Sequence, residues 1–354
     1  MPPAFAEKMA EKIEPAAFKA LMGLPRPLMR LLAGPAVVLD GQVLDTETQW
    51  MLRMQRIMRE PAVETLPLPE ARVALRRQSR LVGGTQPIGL VRDLRVPGAD
   101  EEIPARLYVP RGQVASPNPS PLLVFVHGGG MIYGDLDSHD ALCRFLAERA
   151  DVRVLSLEYR LAPEHRFPAA VEDCWASFQW VSEYAEQLGA DPERIAVGGD
   201  SAGGYLSAVT AIRAAEAGIP LAFQLLIYPL TNMADASDSR RLFGEGFFLT
   251  RDFIELAEGS YLEGHHDRRD PRVSVYFHDP IPEGLAPAFV ATAGFDPLRD
   301  EGEAFARLLA DRGARVELQR YPGFIHGFAN VVGVGRTQRA AMAQVAARLR
   351  RALV

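Results

Sequence analysis

Hydrophobic and polar positions fall into two regimes along the chain. Before about residue 60 the apolar side chains recur every three to four positions. Phe5, Met9, Ile13, Ala17 and Leu21 form one such series, and Trp50, Met51, Met54, Ile57 and Met58 form another. That spacing predicts amphipathic helices, with Pro25 and Pro27 breaking the chain between them. From about residue 88 short apolar runs take over. Ile88–Val96 and Ala105–Val109 read as strands joined through Pro97-Gly98-Ala99-Asp100, hence a hairpin. Further strand candidates are Leu122–Val126, Val152–Leu157, Ile195–Gly198, Phe223–Tyr228, Phe289–Ala293 and Arg315–Tyr321. Between and after them Ala141–Ala150, Ala169–Leu188, Ala202–Ala217, Glu301–Arg312 and Arg336–Leu353 have helical patterns. Buried runs alternating with helices predict βαβ units, so an α/β fold with a mostly parallel central sheet flanked by helices. Thr231–Val275 is charged and irregular and fits an insertion between strands.

Composition narrows the function classes. The 354 residues are 48% apolar and 24% charged, ordinary globular usage. A net charge of −6 argues against a chain that works by neutralising nucleic-acid phosphates. Cys143 and Cys174 are the only cysteines, too few for a disulfide framework or a CxxC metal site. The longest apolar run, Leu221–Leu230, is about half of the ~20 residues a bilayer span needs. Glu7, Glu11 and Glu14 interrupt the stretch where a secretory peptide would be apolar, so the expected location is cytoplasmic. Seven of the ten methionines (Met1, Met9, Met22, Met29, Met51, Met54 and Met58) precede residue 60. They suit either core filler or an adaptable apolar lid.

The chemistry is concentrated at strand ends. Gly199-Asp200-Ser201-Ala202-Gly203 is a G-x-S-x-G that follows a strand candidate and opens a helix. Glycines on both sides allow a sharp turn that projects the serine hydroxyl above the sheet. A Walker A loop is excluded because no Lys-Ser/Thr pair follows. His127-Gly128-Gly129-Gly130 directly follows another strand, and its backbone N–H groups can converge on a developing oxyanion. A serine nucleophile needs a base and a group that orients it. His326, between Gly323-Phe324-Ile325 and Gly327-Phe328, is the candidate base, whereas His265 and His266 read as solvated surface. Asp296 follows the strand ending at Phe295, while Asp300 reads as a helix cap. Ser201, Asp296 and His326 occur in the chain order that this motif set requires on an α/β sheet.

Taken together, HGGG (127–130), EYRLAPEHRFPAA (158–170), GDSAGG (199–204), DPLRDEG (296–302) and HGF (326–328) make the chain resemble the bacterial hormone-sensitive lipase family. The resemblance covers roughly residues 85 to 354 and implies an α/β-hydrolase fold with a helical cap. It places the cap at residues 1–55 with a second portion at about 231–270, and the catalytic domain at 56–354. It makes Ser201 the nucleophile, Asp296 the orienting acid and His326 the base. Gly129, Gly130 and Ala202 would supply oxyanion amides, with Gly128 shaping that hole, and Met131, Tyr133 and Asp200 would line the substrate pocket. It further implies short- to medium-chain acyl esters as substrates, no metal or organic cofactor, and a homodimer. Met131, Glu158 and Ser274-Val275 stand where the family usually has an aromatic, Asp and Ser-Pro. A deacetylase or amidase using the same residues stays open. A non-catalytic receptor on the same fold is disfavoured by the presence of His326.

Overall fold

The computed structural model describes residues 16–58, 60–264 and 267–354. The series Phe5, Met9 and Ile13 and the pair His265-His266 lie outside the described residues. Residues 16–22 are helical, followed by α1 (Arg26–Ala33), a two-stranded ribbon of β1 (Val38–Leu39) and β2 (Gln42–Val43), α2 (Thr46–Met58) and α3 (Leu68–Gly83). Pro25 and Pro27 do break the chain, yet they also start α1. Pro25 stands at its N-cap and Pro27 in its first turn, where the missing N–H costs nothing. The methionines divide between two tasks. Met22, Met29 and Met54 pack with Phe18 and Trp50 in a local core, whereas Met51 and Met58 face a cavity described below.

The body is one sheet in the order β10-β9-β8-β7-β5-β6-β4-β3. The antiparallel hairpin of β3 (Leu90–Pro97) and β4 (Glu102–Val109) forms one edge, with β4 antiparallel to β6 (Arg153–Leu157). All the other neighbours, β5 (Ser120–Val126), β6, β7 (Ala190–Asp200), β8 (Phe223–Ile227), β9 (Ala288–Phe295) and β10 (Val316–Ile325), pair parallel. On one face α5 (Ala169–Tyr184), α6 (Ala202–Glu216) and α9 (Arg299–Asp311) contribute Phe178, Val209 and Phe305 to the core. On the other, α4 (Asp140–Ala150) and α10 (Arg336–Leu353) contribute Leu146 and Val345. Every residue of β5 is buried, which explains its unbroken apolar run. Each such side chain contributes about 1.5–3 kcal/mol on full burial.

The irregular stretch after β8 is indeed inserted between strands, and it holds α7 (Asp238–Phe243) and α8 (Arg251–Tyr261). Thr250 caps α8 by accepting the Phe253 N–H at 3.0 Å. Arg240 anchors the insertion, bonding Glu258 of α8 at 3.1 Å and Glu301 of α9 at 2.9 Å.

Candidate active site

Four loops leave the carboxyl edge of the sheet from β5, β7, β9 and β10, and each carries one part of the predicted constellation. In an open parallel sheet this edge is where ligands bind. Asp200 ends β7 and Ser201 follows with φ +56°, ψ −121°, a strained backbone for a serine. The Ser201 N–H donates to Ile227 O at 2.9 Å, fixing the turn to β8. A Cβ on Gly203 would lie 1.9 Å from Val126 O, so the elbow can sit this close to β5 only with glycine there. His326 immediately follows β10, and Asp296 immediately follows β9.

These ends converge. The Ser201 hydroxyl lies 2.8 Å from His326 Nε2, and His326 Nδ1 lies 2.8 Å from Asp296 Oδ2. Asp296 is fully buried, and its other oxygen accepts the Leu298 N–H at 2.9 Å. A carboxylate only accepts, so Nδ1 carries the imidazole proton and Nε2 is the base facing the serine. Asp300 does not join them. It sits in the first turn of α9 rather than at its cap, pairs with Arg299 at 2.7 Å and accepts the Ser239 N–H at 2.9 Å.

The loop after β5 has positive φ at Gly129 (+114°) and Gly130 (+62°), a path open to glycine. Among the described hydrogen bonds, none is donated by the amides of Gly129, Gly130 or Ala202. Gly128 differs: its N–H donates to Asp200 Oδ1 at 2.9 Å, so it shapes the loop and cannot serve as an oxyanion donor. Asp200 also meets His139 Nε2 at 3.2 Å and accepts from the Tyr228 hydroxyl at 3.3 Å. Burial works against its charge, and His139 with the Gly128 N–H outweighs burial, holding Asp200 below the usual carboxylate range.

Ser201, His326 and Gly129 open into a mainly apolar cavity of about 170 Å³. Its walls come from both peripheral segments: Phe18, Met51, Leu75 and Val82 from the N-terminal helices, Phe248 and Phe253 from the insertion. Helix α3 lies among these walls, so the sequence-based boundary at residues 55 and 56 cuts through the helices that surround the cavity. Met131 and Tyr133 are not among the lining residues. Met131 has φ +60°, which turns the chain back on itself, and both side chains are buried in the core. Asp200 does border the cavity, with its carboxylate engaged as above. Among the described residues no cluster of three His, Cys, Asp or Glu side chains forms a metal site.

A family described as the alpha/beta hydrolase fold matches residues 123–330. The chain belongs to this family. Carboxylic ester hydrolase LipN of Mycobacterium tuberculosis is 46% identical over 329 residues, 90% of this hydrolase and 85% of the relative. Ethyl acetate hydrolase of Pseudomonas putida is 37% identical over 276 residues, 75% and 84% of the two chains. Among solved structures, an ester hydrolase from the metagenome of Lake Arreo, complexed with a derivative of bipyridine phosphonate, superposes with a TM-score of 0.83. It is 39% identical and covers 87% of this chain and 98% of its own. The hormone-sensitive lipase grouping read from the motifs is thereby established.

Two residues of the hydrolase's site escaped the sequence reading. His139 precedes α4 and supports Asp200 from below. Tyr228 follows β8 with φ +37°, and its ring centroid lies 4.5 Å from that of His326. Position at a strand's carboxyl end was a usable signal for Tyr228. Nothing in the local pattern distinguishes His139. No helix among the described residues is long and apolar enough to cross a membrane.

Proposed function

We propose that this α/β-hydrolase is a carboxylesterase working through an acyl-enzyme, with Ser201 as nucleophile, His326 as base and Asp296 as orienting acid. The observation that carries this reading is the unbroken chain of two 2.8 Å contacts from Ser201 through His326 to Asp296. His326 Nε2 takes the hydroxyl proton as Ser201 Oγ attacks the ester carbonyl, and the amides of Gly129, Gly130 and Ala202 receive the oxyanion. Collapse expels the alkoxide, which takes the proton from His326. Water then attacks the acyl-enzyme, giving its proton to the same nitrogen. The second collapse returns that proton to Ser201 and releases the acid. The residues named here call for no metal or organic cofactor.

The cavity also bears on substrate class. An apolar cavity of roughly 150 Å³ accommodates benzene, so the space of about 170 Å³ takes a neutral apolar limb of about six carbons. That size supports short- to medium-chain acyl esters, with the N-terminal helices and the insertion acting as the cap. Hydrolysis of p-nitrophenyl esters from acetate to laurate, beside a matched anilide series, tests the reading. Activity should peak at or below about eight acyl carbons. Ser201→Ala should keep the wild-type circular dichroism and unfolding midpoint while turnover drops to the residual ~10³-fold over water. Wild-type turnover in a folded Ser201→Ala would overturn the mechanism, and a preference for anilides would overturn the ester assignment.

A further inference from the structure

The mechanism requires the Gly129 and Gly130 amides to converge on one point, although the loop that carries them is built from residues with much conformational freedom to lose. Positive φ recurs at Gly129, Gly130, Met131 and Gly134. Within the loop, Ile132 and Tyr133 donate to Gly129 O at 3.2 and 2.9 Å, closing a turn. Its entry is fixed by the Gly128 to Asp200 bond at 2.9 Å. Its exit is held from outside the sheet, by an arginine of the N-terminal helices.

We propose that Arg72 of α3 is a positioning residue for the oxyanion loop. Its Nε donates to Ile132 O at 2.9 Å and its Nη2 to Ala162 O at 3.0 Å. Glu164 holds the other edge of the guanidinium, at 2.9 Å from Nη1 and 2.7 Å from Nη2. The Ala162 N–H in turn donates to Met131 O at 2.8 Å. The two loop residues after Gly130 are thus gripped from both sides, Ile132 by Arg72 directly and Met131 through Ala162. Met131, Ile132 and Ala162 are all buried, and removing the guanidinium takes its two donors away from the Ile132 and Ala162 carbonyls. A planar fork spans both carbonyls and the carboxylate at once; a lysine ammonium is a point donor and cannot.

Docking of α3 does not depend on this residue alone. Arg76, one turn on, bonds Asp135 at 2.6 Å, and Arg80, a further turn on, bonds Asp137 at 2.7 Å. Loss of Arg72 therefore leaves the helix attached and acts on residues 131–132, next to the oxyanion amides. It follows that α3 contributes to turnover as well as covering the substrate.

The inference rests on the proposed acyl-enzyme mechanism, and one experiment separates the two. Arg72→Met, Arg72→Lys and, as control, Arg80→Met are assayed on a short acyl ester. The same proteins are titrated with an alkyl trifluoromethyl ketone, whose hemiketal with Ser201 bears the oxyanion. Removing one oxyanion donor costs about 10²–10³ in turnover, so a displaced loop should cost about 10- to 100-fold. That loss should appear in kcat, with KM within about twofold. Affinity for the ketone should fall by the same factor in Arg72→Met, in part in Arg72→Lys, and not in Arg80→Met. A lowered unfolding midpoint with undiminished ketone affinity would make Arg72 a structural residue only and overturn the proposal. Should Arg72→Met fail to fold, Arg72→Lys carries the same readout. If the wild-type protein itself neither hydrolyses the ester nor binds the ketone, the mechanism fails; if it does both and the Arg72 variants match it, only the positioning role fails.

Discussion

Lowering the pH from 7 to 4 places a charge where the fold has made no provision for one. His127 is fully buried, its ring stacked on Tyr159 with centroids 4.3 Å apart. Its Nδ1 lies 2.8 Å from Gly128 O, an acceptor only, so Nδ1 holds the proton of the neutral ring. Nε2 has no hydrogen-bond partner among the described residues. Burial first, and the facing His139 second, push the His127 pKa from 6.5 down to about 4. The unfolded chain therefore binds a proton here below pH 6.5, and the native protein binds it only near pH 4. Between those values the unfolded state binds more protons, so stability rises with pH across the window and is complete above it. The shift of about 2.5 units, at 1.36 kcal/mol each, amounts to about 3 kcal/mol. Other groups titrate over the same range, so the measurement is a difference between two proteins that share them. Denaturant unfolding of wild type and His127→Asn, followed by fluorescence and circular dichroism together, is compared from pH 4 to 8. The asparagine amide keeps a donor for Gly128 O and does not titrate. The stability of wild type minus that of the variant should grow by about 3 kcal/mol from pH 4 to pH 7 and then level off. Parallel curves, or a difference that grows toward acid, would refute the reasoning.

Asp296→Asn should cost up to about 10⁴ in turnover because it presents the wrong partner to His326. Asp300→Asn, which loses one Arg299 pair and weakens one Ser239 contact, should change kcat by less than about threefold; equal kinetic losses would transfer the orienting role to Asp300. Val82→Trp should fill the part of the cavity beside Phe18. The ratio of kcat/KM for hexanoate over acetate esters should then fall by about tenfold, the value of roughly two lost methylene burials. An unchanged ratio in a folded protein would show that substrate does not extend under α3.

The parts legible in the sequence are those where one physical demand overrides all others. Leu122–Val126 reads as a strand because burial on both sheet faces leaves no polar position. Ser201 reads as a nucleophile because only glycines at 199 and 203 permit the elbow. Asp296 was legible because it ends an apolar run, and His326 because glycines and aromatics flank it in a loop after the last strand candidate. Helix α3 was not legible: Ala71 and Gly83 are its only buried residues, so no core stripe shows in LPEARVALRRQSRLVG. Its arginines satisfy loop oxygens and its apolar residues face a cavity, two surfaces that do not exist until the body has folded. The pairing of Arg240 with Glu258 and Glu301 in the interior was likewise not legible, since only the folded body brings these charges together. The family resemblance implies Met131 and Tyr133 in the pocket, whereas both are buried in the core, Met131 with a left-handed backbone.

The two faces of α3 also separate two kinetic quantities. Arg72 and Arg76 are four residues apart and so share one side of the helix, toward residues 132–135. Gln78, Leu81 and Val82, three and four residues apart, line the cavity from another side of the helix. Ser201, Asp296 and His326 each follow the end of a strand, so the sheet positions them. Substitutions on the cavity side of α3 should therefore alter how much each acyl carbon contributes while leaving turnover of the shortest ester intact. Substitution of Arg72 should lower turnover by one factor for every chain length, because the oxyanion has the same geometry whatever the acyl group. A helix that both bounds the substrate and steadies the oxyanion loop couples the two, since truncation of the N-terminal segment as a whole would mix both effects. Point changes on single faces of α3 keep them apart.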